Sequence, residues 1–140
     1  MLLGLGVIVV GGAGPAHAAA LSTDVLVTTH GAAATSVTSP AFTTAQAGEL
    51  LVAFVSADGP DGANAQAVAT VTGGSLTWKL RQRTNTRAGT SEIWTAVAST
   101  VLTGATVRAT YAGTYVGSIT VASFTGADIT KDGEIGRAHV

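Results

Sequence analysis

The sequence predicts an all-β chain, an antiparallel β-sandwich of Ig-like or jelly-roll-like type. Three observations lead there. Beyond the first twenty residues, apolar side chains recur at every second position in short runs, the period of a strand with one buried face. Gly, Thr, Asn and Ser punctuate those runs with turn chemistry. No later segment carries the period of an amphipathic helix. Seven or eight short strands spaced this way make a sandwich or a barrel.

A chain of 140 residues holds one domain. It has no cysteine, which excludes disulfides and thiolate metal or redox sites. Charged residues make up 11% of it, against roughly 25% in ordinary soluble domains. The net charge of -1 gives no electrostatic reason to expect nucleic acid or an anionic membrane as partner. Aromatic residues are scarce at 5%, so each ring matters to the core or to a site.

Both ends read as something other than the domain. Residues 1–18 resemble a secretory signal peptide, with an apolar run at Leu2–Val10, a break at Gly11–Pro15 and a cleavage pattern at Ala16-His17-Ala18. The basic start of such a signal is missing, which places the true start upstream of Met1. The apolar run is shorter than the ~20 residues of a membrane span, so a secreted chain without a span is expected. At the other end, Ile135–Val140 (IGRAHV) is what a common short-read sequencing adapter encodes in one frame. The native sequence is therefore expected to stop near Glu134, leaving residues 19–134 as an incomplete module.

Within the module, Asp24–Thr29 reads as a strand with Val25 and Val27 on one face. Ala32–Thr38 is a loop or a weak edge strand, and Ser39-Pro40 imposes a turn or an extended link. Glu49–Ala57 is nearly all apolar, as in a strand covered on both faces. Gln66–Thr72 alternates imperfectly, and Gly73-Gly74 turns the chain into a hairpin over Ser75–Ser99. Ala105–Tyr111 and Tyr115–Thr125 follow as two further strands. The expected core is Leu50, Val52, Phe54, Trp78, Leu80, Val107, Ile119, Val121 and Phe124. Tyr115–Thr125 lies nearest the cut. It is expected to form an open edge, with Ile119, Val121 and Phe124 the most exposed of that set.

The hairpin carries the candidate binding residues: both tryptophans, and Lys79, Arg81 and Arg83 alternating along one arm. Two registers compete. With Arg83 opposite Ser91, Trp78, Leu80 and Trp94 share the inner face. A slip of one residue brings Arg81 opposite Glu92 and Lys79 opposite Trp94, and turns Trp94 outward as a binding platform. Burying an indole gains about 2 kcal/mol or more, whereas an exposed ion pair or cation–π contact gains under ~1 kcal/mol, which favours the first. The cations form a solvated, aggregation-resistant strand face or a patch for an anionic polymer such as teichoic acid or acidic polysaccharide.

Asp58, Asp61 and Asn64 place three oxygen donors in one short loop, so a structural calcium ion is conceivable there. DGPDG is equally a plain turn, and no other cofactor is expected. Catalytic signatures are absent: there is no G-x-S-x-G or H-E-x-x-H, and His30 is the only histidine between the two ends. Glu49 and Glu92 are the two acids a glycosidase pair would draw on, but Glu92 stands beside basic residues, where an ion pair accounts for it.

The runs Gly48–Pro60, Leu76-Thr77-Trp78, Glu92–Ala96 and Val121–Gly126 together resemble a β-sandwich module of secreted multidomain proteins of high-GC Gram-positive bacteria. Such modules stand beside fibronectin-III-like, Ig-like or carbohydrate-active domains, and the resemblance covers about Thr23–Asp128. It implies a non-catalytic accessory module that binds a glycan or cell-surface polymer, or spaces its neighbours. The alternative is the N-terminal part of a secreted carbohydrate-active hydrolase whose catalytic residues lie beyond the cut.

Overall fold

A computed structural model describes residues 20–131. The signal-peptide and adapter readings fall outside them. Six strands form in order: β1 (Ser22–Thr38), β2 (Glu49–Ala57), β3 (Val68–Gly73), β4 (Lys79–Thr84), β5 (Thr90–Ala98) and β6 (Val107–Thr125). The only helical element among the described residues is a 3-10 turn at Ile129–Lys131. The antiparallel all-β class is as expected. All six strands belong to one hydrogen-bonded sheet, ordered β1-β6-β2-β5-β4, with β3 beside β6.

Fewer, longer strands replace the expected seven or eight. Ala32–Thr38 continues β1 as an edge arm, and the two last predicted strands run together as the 19-residue β6. Bulges near Gly31 and Ala34 let β1 follow β6 through this length. The later part of β6 lies between β1 and β2, whereas its first part, Val107–Tyr111, pairs with β3 and the end of β1. Side chains from both parts meet in one core, where Val107, Ala109 and Tyr111 join Ile119 and Val121.

Three expectations are corrected. The open edge at Tyr115–Thr125 is not there, because neighbours flank β6 on both sides. Ile119 and Val121 are fully buried and Phe124 half-buried. The parity of β2 is also reversed over most of its length: Leu51, Ala53, Val55 and Ala57 face the core, while Phe54 is 46% exposed and Val52 half-buried on the outer face; Leu50, at the strand's start, is buried as expected. A nearly continuous apolar run carries no alternation from which parity can be read. The small residues Ala53 and Ala57 take the tightly packed side. Leu80 likewise leaves the expected core set, at 38% exposed on the edge strand β4, whereas Trp78 is buried as expected.

Gly73 and Gly74 make the predicted turn with φ of 139° and 61°. Any side chain at Gly73 would also collide with the Thr106 carbonyl, so this glycine answers to both conformation and space.

Candidate functional site

Neither uniform register describes the β4–β5 hairpin. Lys79 pairs with Thr95 and Leu80 with Trp94, as in the first register. A bulge at Arg81 then shifts the pairing by one, so Gln82 meets Ile93 and Arg83 meets Glu92. The extra residue inverts the side-chain alternation. Leu80 and Arg83 therefore share the face of Trp94 and Glu92, and Lys79 and Arg81 are left on the other. Three cations that alternate evenly in sequence are divided by the fold.

The inward group centres on Glu92, which is 1% exposed. Its Oε1 accepts from the Val68 backbone N–H (2.8 Å), Arg83 Nε (2.8 Å) and the Thr90 hydroxyl (3.0 Å). Its Oε2 accepts from Trp94 Nε1 (2.9 Å) and Arg83 Nη2 (3.2 Å). Burial alone would raise the carboxyl's pKa, but the bonds from Arg83, Val68, Thr90 and Trp94 outweigh it and hold the pKa below its ordinary value. Trp94 is half-buried and packs against the core. β3, whose sheet partner is β6, is thereby tied to the hairpin through Val68. Beside it, Asn85 Nδ2 donates to the Gln66 carbonyl (2.8 Å) and Gln66 Nε2 to the Asp58 carbonyl (2.8 Å). These bonds strap the 58–66 loop to the hairpin turn.

The outward group lines a cleft of about 460 Å³. Lys79 and Arg81 stand there with the hydroxyls of Ser75, Thr77, Thr95 and Ser99. Arg81 Nε donates to Thr95 Oγ1 at 2.7 Å, which holds the guanidinium against the mouth. A second cleft of about 380 Å³ opens at the far end of the hairpin, among Ser56, Asp58, Thr84, Arg87 and Ser91. Between the two clefts the outward residues of β2 (Val52, Phe54, Ser56) and β5 (Ser91, Ile93, Thr95, Val97) are neutral, so the charges gather at the clefts, Lys79 and Arg81 at one and Asp58 and Arg87 at the other.

Of the four candidate binding residues, Lys79 and Arg81 come together at a surface cleft, and Arg83 and Trp94 belong to the buried carboxylate network. Asp58, Asp61 and Asn64, the candidate calcium donors, are all exposed. Their loop is shaped by protein groups, with Asn64 at φ 61° donating its N–H to the Asn85 carbonyl (2.7 Å). Among the described residues no three His, Asp or Glu side chains gather as a metal site.

No family model, curated protein or solved structure matches the chain. Among the described residues, no helix is long and apolar enough to cross a membrane.

Sequence reasoning anticipated an ion pair for Glu92 but missed its role as a hub. The available signal was the spacing Thr90-x-Glu92-x-Trp94, which puts two donors beside one acid on a single strand face. The hydroxyls of the cleft carried no signal, because Ser and Thr are common throughout this chain.

Proposed function

We propose that this chain is a non-catalytic accessory module of an exported protein, and that it binds an acidic glycan or cell-surface polymer at the Lys79–Arg81 cleft. The carrying observation is the cleft itself: Lys79 and Arg81 line it together with four hydroxyl-bearing side chains and no acid. Lys79 and Arg81 set the sign of the potential there and attract carboxylate or phosphate groups, while the hydroxyls exchange hydrogen bonds with a polyol. The non-catalytic reading is supported by the acids. Glu49 and Glu92, the pair a glycosidase would need, are both fully buried, so neither meets a substrate arriving from solvent.

The test is retention on an immobilised acidic polysaccharide at low salt. Wild-type chain is retained and elutes earlier as salt rises. The double variant Lys79→Ala/Arg81→Ala passes through unretained with an unchanged melting temperature. Equal retention of the two proteins would refute the assignment.

A further inference from the structure

The two clefts lie at opposite ends of one hairpin and open on the same side of the sheet. The outward side chains of β5 run between them in the order Ser99, Val97, Thr95, Ile93, Ser91. On the neighbouring strand, Gln82 stands opposite Ile93 and is exposed. Resting on the cleft reading above, we infer that the ligand is a linear polyanion laid along this track, anchored at Lys79 and Arg81 and reaching the cleft around Arg87.

Three features support a chain over a small ligand. The eight steps from Ser91 to Ser99 span about 26 Å at the ~3.3 Å rise of a strand, longer than a disaccharide. The track alternates hydroxyl positions (Ser91, Thr95, Ser99) with aliphatic ones (Ile93, Val97); Ser91 and Ser99 are exposed, whereas Thr95 is buried and its hydroxyl accepts from Arg81 Nε. That alternation suits a polymer whose units present both polar groups and C–H surface. The third feature is charge: the Lys79–Arg81 end is cationic, whereas at the far end Asp58 faces the same cleft as Arg87 and offsets it. One end grips by charge and the rest by repeated weak contact. Exposed ionic contacts are individually weak, so affinity must come from the number of units engaged.

The test is a length series measured on the full chain by titration calorimetry. Oligogalacturonates from the dimer upward form one arm, and glycerol-phosphate oligomers form the other. Carboxylate and phosphodiester polymers share the chemistry, and the arm that binds identifies the source. Affinity is expected to rise at least about tenfold between the dimer and lengths that span both clefts, and then to level off. Ser91→Glu, an exposed substitution at the far end, should abolish that gain and leave dimer affinity unchanged. Gln82→Glu at mid-track serves as a second variant with the same expectation. Affinity independent of length, or long oligomers indifferent to both variants, would overturn the track and leave the Lys79–Arg81 cleft standing. Failure of wild type to bind either series at any length would overturn the cleft reading and the track with it.

Discussion

At the scale of one residue, Glu92 shows how a buried carboxylate is stabilised when both of its oxygens are occupied. A carboxylate removed from water loses several kcal/mol of hydration, and here four groups on three strands replace it. Glu92→Gln keeps the shape but turns an NH2 group toward Arg83 or Trp94, donor against donor. It should cost about 2–4 kcal/mol. The pH dependence carries a definite sign. Glu92 titrates lower in the folded state than its ordinary 4.5, so its contribution is present above pH 4.5 and is lost as pH falls through the folded value. Urea midpoints measured from pH 6 downward should fall for wild type, and more gently for Glu92→Gln. Parallel curves would show that the network contributes no linkage.

At the scale of the element, a bulge re-aims side chains that the sequence pattern assigns elsewhere, and a glycine makes room for one. The alternation of Lys79, Arg81 and Arg83 was legible, as were the two arms and their turn. The bulge at Arg81 was not, because one extra residue in a strand leaves no mark on composition. It is nevertheless what sends Arg83 inward to Glu92. Gly117 in β6 makes room for a neighbouring ring. The ring of Tyr111 lies over it so closely that a side chain there would strike the phenol oxygen. That oxygen is buried without a hydrogen-bond partner, and burial pushes the phenol's pKa up to about 12. Gly117→Ala should destabilise by about 1–3 kcal/mol through overpacking. Tyr111→Phe removes the unpartnered hydroxyl at little cost. Combined, the two should cost less than their sum, since the second substitution removes part of what the first strikes. Strict additivity in a thermal-melt double-mutant cycle would contradict this packing.

At the scale of the whole molecule, the fold class was readable because period-2 patterning and turn residues are local properties. The parity of β2, the merging of two predicted strands into β6 and the interior place of β6 were not. Each depends on which distant strands pair, and the apolar residues of β2 and β6 fit either face. Once β6 is placed between β1 and β2, the core closes around Leu51, Val55, Ile119 and Val121, and the β4–β5 hairpin becomes the sheet's outer margin. In that margin the bulge divides the four candidate residues, leaving Arg83 and Trp94 in the network that holds the fold and Lys79 and Arg81 at an exposed cleft. Urea unfolding of the four single alanine variants tests this division most directly. Arg83→Ala and Trp94→Ala should each lose about 2–4 kcal/mol, because each uncovers part of the buried carboxylate. Lys79→Ala and Arg81→Ala should stay within about 1 kcal/mol of wild type, as exposed cations do. Losses of equal size at all four positions, or the reverse ranking, would contradict the division.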